Sequence, residues 1–407
     1  MTYFLAVSRM LAGIGLFLLG MNFLEDALRR LGGRKLKLFL RNNTANNLKS
    51  VAGGAVISGI LQGSSVVNLM VLAFVGAGIV PLKSALAISL GAGLGSTLNG
   101  WIVATVGFGF HIESFALFIL GVAGLVLAAS DRGTKSYHWS RLFFGFGALF
   151  VGLEFMKSSF VGMASAIDFE AIRHFPWIVF ILIGFVITAI VQSSAVTTAI
   201  ILSALHVDAI SLYDGCCVVL GGELGTTIKL LLASFRGQPS KKRVALGTFS
   251  YNGILIAIIM LALDPIHTYL SRMESPLVAL VTFHSFLNFV GIVIFLPFIN
   301  VSERLLLRLY TDVQAGARYL KGVPPGEGDL ALETLDKETR RYLHLTLDFH
   351  RQAFALNKPS SSELDERYRN LSILEKYDYL KLVYGEIHTY FIGMDKETLS
   401  PAERERA

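Results

Sequence analysis

The chain has 407 residues, 53% hydrophobic and only 16% charged, with a mean hydropathy of +0.58 and a formal net charge of +6. That is more apolar side chain than the core of a soluble domain of this size takes up, so the composition points to an all-α integral membrane protein. The sequence carries no metal-ligand cluster, nucleophile–base pair or P-loop that would point to catalysis, and its excess of bases needs no nucleic acid to explain it.

In chain order, the first apolar stretch, about 3–24, is long enough to cross the bilayer as a helix and lacks a small-residue cleavage site, so we expect it to be retained. Residues 25–41 follow as an amphipathic stretch, with Leu28, Leu31, Leu36, Leu38 and Phe39 alternating with bases, as an interfacial helix against anionic lipid would. From Ala27 to Lys49 there are seven bases (Arg29, Arg30, Arg34, Lys35, Lys37, Arg41, Lys49) and no acid, which places this loop on the cytoplasmic side. The next apolar segment, 48–80, is divided by Gln62-Gly63-Ser64-Ser65 into two arms too short to cross, so it reads as a re-entrant helical hairpin with its tip at mid-depth. Spans are expected at 84–104, 112–130 and 141–160, separated by the basic 131–141 loop (Arg132, Lys135, Arg141). A second divided segment, 178–205, carries Gln192-Ser193-Ser194-Ala195, and the acidic 206–214 loop after it (Asp208, Asp214) reads as external. Three further spans, 214–234, 244–264 and 277–299, complete a set of seven, with the basic 236–243 loop (Arg236, Lys241, Lys242, Arg243) inside. Arg173 and Arg272, in outer loops, each lie near an acid, and the adjacent Cys216 and Cys217 read as small buried apolar residues, not a disulfide.

The two Gln-Ser motifs lie 130 residues apart, and so do Gly91-Ala-Gly-Leu-Gly-Ser-Thr97 and Gly221-Gly-Glu-Leu-Gly-Thr-Thr227. One spacing held by two polar motifs points to a duplicated unit, residues 1–135 and 136–300, the second including a final span. Three full spans per copy turn the second upside down, giving inverted-topology repeats with the amino terminus outside and the carboxyl terminus cytoplasmic.

A helix that breaks and restarts at mid-membrane exposes unpaired N–H groups where its second arm begins, and the dipole there favours an anion. Serine hydroxyls and glutamine amides add donors without a full charge. Gln62, Ser64, Ser65, Gln192, Ser193 and Ser194, with Asn68, Thr197 and Thr198 one turn into the returning arms, are therefore the expected substrate ligands for a small oxyanion. Close packing and hydrogen bonding between helices is the plainer use of the same residue types. The glycine-rich pair reads as broken helix, whose freed carbonyls with Ser96, Thr97, Thr226 and Thr227 would form an oxygen shell for sodium, or equally as a close helix contact. Asn22 and Glu154 correspond between the copies and are expected at their interface, while Asn252 and Asn288 read as interhelical glue and His284 as a satisfied histidine.

A Gln-Ser tip followed some 30 residues later by Gly-x-x-x-Gly-Ser/Thr-Thr, twice, resembles the sodium/phosphate cotransporter family, the bacterial relatives of the animal type II carriers. Gly15-Leu-Phe-Leu-Leu-Gly20 and Gly147-Ala-Leu-Phe-Val-Gly152 resemble that family's repeat openings, and Phe283-His284-Ser-Phe-Leu-Asn288 its His-x-x-Phe-Asn motif. The resemblance covers about residues 10–300. It implies a secondary carrier of inorganic phosphate in a bacterial-type inner membrane, with no cofactor, sodium as coupling ion and the two hairpins holding the anion. The chain departs from the family at Gly63, where a serine is usual, and at Gly93 and Glu223, where asparagine is usual. Glu223 is expected to bind sodium or to take a proton. Lys229, opposite Asn99 of the first copy, either snorkels to the cytoplasm or stands as a tethered cation where relatives hold sodium.

Beyond residue 300 charge rises and apolar residues recur at helical spacing (Leu364, Tyr368, Leu371, Leu374, Ile387), so 301–407 is expected to be a cytoplasmic helical domain. A helix near 302–320, a Gly/Pro linker at 322–328, a break at Pro359 and a frayed tail from Leu399 are expected within it. In position and helicity it is similar to the PhoU-like domain of bacterial relatives, with Glu333, Asp336 and Glu338 read as a solvated face. A proton-coupled carrier, and a sensor that binds phosphate without moving it, are the alternative functions; homodimerisation is left open.

Overall fold

The computed structural model describes residues 2–42, 46–76, 80–109, 113–164, 175–235, 239–310, 316–320, 323, 325, 328–356 and 366–394. Arg173, Arg236, the Pro359 break, Leu364, most of the 322–328 linker and the tail lie outside these residues. The described residues are helical almost throughout and divide into two compact units, one running to Leu309 and the other taking up the chain from Tyr310.

In the first unit the helices are α1 (Thr2–Asn42), α2 (Asn47–Leu61), α3 (Ser64–Gly76), α4 (Leu82–Ile102, continued by a π turn Val103–Gly107), α5 (Glu113–Ala129) and α6 (Lys135–Ala164). They continue as α7 (Trp177–Val191), α8 (Ser194–His206), α9 (Leu212–Ser234), α10 (Pro239–Leu261), α11 (Leu263–Leu270), α12 (Pro276–Phe295) and α13 (Ile299–Leu309). Six are long and apolar enough to cross a membrane, within α1, α4, α6, α9, α10 and α12, so this is a multi-pass membrane protein. The seventh expected span is α5, apolar but only 17 residues long, or about 25 Å at 1.5 Å per residue. The first span and the basic stretch after it are one continuous helix of 41 residues rather than a span followed by a separate interfacial helix.

Each segment expected to form a hairpin is a pair of short helices divided at its Gln-Ser motif. α2 and α7 have 15 residues each and α3 and α8 have 13, about 20 Å at most per returning arm and well short of the roughly 30 Å apolar layer. The bounds of α2 and α3 recur in α7 and α8 at an offset of 130 residues, and the first residues of α4 and α9 do the same. Where the sequence suggested broken helix at Gly91–Thr97 and Gly221–Thr227, α4 and α9 are continuous. The glycines serve the close approach of a neighbour instead. A Cβ at Gly91 would overlap the Val51 carbonyl of α2, and one at Gly221 the Ile181 carbonyl of α7. The Ser96, Thr97, Thr226 and Thr227 hydroxyls each donate to a carbonyl three residues back, at 2.6–2.8 Å, so no carbonyls are freed there.

α1 and α6 cross through four glycines: Gly13 meets Gly152, and Gly20 meets Gly145. The pairing of an early residue with a late one makes the helices antiparallel. Two cores flank this arrangement. One gathers Phe17, Phe150, Leu153, Leu202, Phe283 and the fully buried Cys216 and Cys217; the other gathers Ile57, Leu61, Val71, Leu86, Ile88 and Leu306. Ile299 and Leu306 thus bring α13 into the first unit, which extends past residue 300, and the helix expected at 302–320 ends at Leu309.

The second unit is a helical hairpin of α14 (Gly328–Ala353) and α16 (Ile373–Gly393), with a short α15 (Glu366–Arg369) before a Ser372–Glu375 capping box. Tyr342 against Tyr384 and Phe349 against Tyr377 set the two long helices antiparallel. Glu333 and Asp336 are exposed and pair with Lys337 and Arg340 one turn on, as a solvated face would. Glu338 is not on that face: it is fully buried, pairs with Arg341 and accepts the Tyr319 N–H at 2.6 Å, because a buried carboxylate needs partners. Lys376 is likewise fully buried, beside Asp348 at 3.5 Å and donating to Gln352 at 2.8 Å.

Candidate functional site

Both hairpin tips are built the same way. α2 ends at Gln62 and α7 at Gln192, each in the left-handed region, with φ 59° and 57°. A side chain other than glycine there costs roughly 1–2 kcal/mol, so the fold holds local strain at two symmetric points. The Gln192 N–H closes α7 on the Thr188 carbonyl at 2.7 Å, and the chain extends through Ser193 before α8 starts at Ser194. At the first tip the Gln62 and Gly63 N–H groups both return to the Ser58 carbonyl, and α3 starts at Ser64. The first turns of α3 and α8 keep the unpaired N–H groups that any helix start has.

The two tips meet. Gln62, Gly63, Ser64 and Ser65 share one cavity of about 230 Å³ with Gln192, Ser193, Ser194 and Ala195. Asn22 and Glu25 of α1, Ser96 of α4 and Lys229 of α9 complete its polar wall. Six expected tip ligands therefore converge with Lys229, which faces this cavity rather than the membrane surface. Asn68, Thr197 and Thr198 line two smaller adjoining cavities, each about 10 Å³, and Glu223 lines both. Thr226 and Thr227 lie at the first of these, while Thr97 accepts a hydrogen bond from Ser285, which itself accepts from Trp101. The expected four-hydroxyl shell for sodium is not assembled at one point. Asn22 reaches the repeat interface as expected, but its counterpart Glu154 pairs with Lys157 at 2.6 Å outside the cavity.

Two contacts escape the sequence reading. Glu25 enters the cavity because residue 63 is glycine: a Cβ there would lie 2.5 Å from Glu25 Oε1. Glu25 and Lys229 are close enough to interact electrostatically, so the cavity holds one acidic and one basic side chain. His284, expected to be merely satisfied, holds Glu223 Oε1 through Nε2 at 2.6 Å, and Asn288 Nδ2 reaches the same oxygen at 3.4 Å. At the matching position of the first copy, Gly93 leaves the room that Asn288 Oδ1 occupies. The glycine at position 63, where a serine is usual, and the acid pair Glu25-Asp26 just past the first expected span were the signals in the sequence; the contact of Glu25 with Gly63 is tertiary.

The full chain is 23% identical to YjbB of Escherichia coli (strain K12), a protein whose name gives it a provisional role in inorganic phosphate export; the match covers 99% of this chain and 74% of that one. The YjbB proteins of Shigella flexneri and Salmonella typhimurium match equally well. YqeW of Bacillus subtilis (strain 168), an uncharacterized protein, is 28% identical over 71% of this chain and 94% of its own length. No solved structure matches the chain. Residues 16–158 and 175–289, both hairpins and the helices around them, match the family described as Na+/Pi-cotransporter. With most of the chain inside that match, it belongs to the Na+/Pi-cotransporter family, a family of phosphate transporters and not of enzymes.

Proposed function

We propose that the protein carries inorganic phosphate by alternating access, with the anion held between the two Gln-Ser tips and its movement coupled to sodium. The observation that carries this reading is the convergence of both tips on one polar cavity with Lys229 in its wall. A tetrahedral oxyanion fits such a place. Helix-start N–H groups approach from two directions, serine hydroxyls and the Gln192 amide add donors, and the lysine supplies the charge. The antiparallel crossing of α1 and α6 supports inverted repeats, in which a small rocking of one copy against the other exposes the cavity to opposite sides in turn. The basic loops support a cytoplasmic carboxyl terminus.

A specific observation favours a second coupling ion. Glu25 shares the cavity with Lys229, and a carboxylate beside a phosphate site is a proton acceptor by position. Labelled phosphate flux in proteoliposomes of the full chain, under a sodium gradient, a proton gradient or neither, separates the readings. Sodium-driven flux that is lost in Gln192→Ala is the expected result. Flux that follows the proton gradient alone moves the coupling to Glu25, and wild-type flux in Gln192→Ala removes the tip from the site.

A further inference from the structure

The cavity between the hairpin tips holds two titratable side chains among the described residues, Glu25 and Lys229, and they stand apart. Each acts on the other electrostatically, yet among the described residues neither head group makes a hydrogen bond or an ion pair. A volume of about 230 Å³ is room for one tetrahedral oxyanion with a few waters, at roughly 30 Å³ per water. Both charged groups are thus left open to whatever fills the space between them.

Glu25 is chemically the odd member of this wall. The lysine and the helix-start N–H groups only donate, and the amide and hydroxyl side chains can turn to donate or accept, whereas an ionised carboxylate only accepts. The fold provides this obligate acceptor once. Gly63 makes the room for it, since a Cβ there would lie 2.5 Å from Glu25 Oε1. In the second copy Ser193 stands where Gly63 would be, and Lys157 stands where Glu25 would be, at the offset that relates Gly13 to Gly145 and Gly20 to Gly152. Lys157 is tied to Glu154 at 2.6 Å and lies outside the cavity.

We propose that Glu25 determines which oxyanion the site accepts: its carboxylate takes the hydrogen bond from the hydroxyl of a singly protonated tetrahedral anion, hydrogen phosphate or hydrogen arsenate, and turns sulfate away. In mildly alkaline water hydrogen phosphate and sulfate are both dianions of similar size, so Lys229 and the helix starts attract them alike. They differ by one proton. Hydrogen phosphate offers one O–H to match the one obligate acceptor and three further oxygens to the donors around it. Sulfate has only lone pairs to set against the carboxylate, so it meets a like charge with no proton between them. A site built to bond a substrate hydroxyl rejects the analogue that lacks it far more strongly than a pocket that matches shape alone. This assignment deepens the carrier reading above and rests on the anion lying between the tips.

The test is equilibrium binding of labelled phosphate to the purified full chain in detergent, in mildly alkaline buffer at saturating sodium, with arsenate, sulfate and monofluorophosphate as competitors. Monofluorophosphate is a dianion with the shape of hydrogen phosphate and a fluorine in place of the hydroxyl, so it separates the proton from charge and size without any substitution in the protein. In the wild-type chain arsenate is expected to compete within about tenfold of phosphate, and sulfate and monofluorophosphate at least about a hundredfold more weakly. Glu25→Gln, whose amide can turn its NH2 towards the anion, should hold phosphate within about tenfold of the wild-type affinity, which shows that it is folded, and bring sulfate to within about tenfold of phosphate. Equal competition by monofluorophosphate and phosphate in the wild-type chain, or an unaltered preference over sulfate in Glu25→Gln, overturns the assignment and leaves the anion site standing. Phosphate binding that is absent, or that is untouched by Gln192→Ala, overturns the site between the tips and this assignment with it.

Discussion

Gln62 and Gln192 hold left-handed backbone conformations that glycine would adopt without strain, and they are different glutamines in use. Both line the cavity, but Gln62 spends its amide on the Gly59 carbonyl at 2.6 Å, a bond that has no counterpart at Gln192 among the described residues. Gln192→Gly should therefore raise thermal stability by up to about 1 kcal/mol and weaken phosphate binding at least tenfold, read by thermal unfolding and by equilibrium binding. Parallel losses in both would make the residue a structural cap only. Glu25 is the acid the fold places in the wall of the cavity proposed to hold the anion. Glu25→Gln should tighten phosphate binding by up to roughly tenfold at pH values where the carboxyl is ionised, the effect of removing one like charge in a partly screened cavity. Weaker binding would show that the carboxyl donates to the anion in its protonated form. The tips were legible in the sequence because polar residues stand out in an apolar segment and recur at one spacing. Glu25 was not, since nothing local says that an acid partway along α1 reaches a glycine 38 positions on.

At the level of elements, glycine has two uses that look alike in a sequence. Gly91 to Thr97 has the composition of an unwound segment, yet the neighbouring α2 lies so close that the glycines are there for contact and the helix continues. Only the partner's position decides which use applies, and that position is not written locally. The same lesson gives a controlled test on α1. Gly15 and Gly20 open the same motif, but a Cβ at Gly20 would lie 2.6 Å from both the Gly145 carbonyl and the Leu149 nitrogen, while one at Gly15 has nothing within 4 Å. Gly20→Val should lower the thermal midpoint through an overpacking penalty of about 1–3 kcal/mol, and Gly15→Val should leave it nearly unchanged. Equal effects at the two positions would mean that α1 and α6 do not cross here.

At the scale of the whole molecule, a symmetric frame carries an asymmetric chemistry. Exchange of the two copies maps Gly13 onto Gly145 and Gly20 onto Gly152, so the α1–α6 contact maps onto itself, and the two hairpins keep matching bounds. The charges do not follow: Lys229 answers to Asn99, Glu223 to Gly93, and Glu25 enters beside one tip alone. The matching helix bounds were legible because the Gln-Ser and glycine-rich motifs each recur at one spacing of 130 residues. The extent of the first unit past residue 300 was not, because α13 is amphipathic and its burial depends on Leu86 and Gly247 of other helices. The central claim is that one anion touches both tips. Ser65 and Ala195 are matching positions that both line the cavity, and the native cysteines are fully buried, so Ser65→Cys and Ala195→Cys report the cavity against a silent background. The measurement is the rate at which a charged thiol reagent modifies each variant as phosphate is added at saturating sodium. Protection of both positions with the same half-saturating phosphate concentration is the predicted result. Protection of one tip only, or of neither, would contradict a site shared between the hairpins.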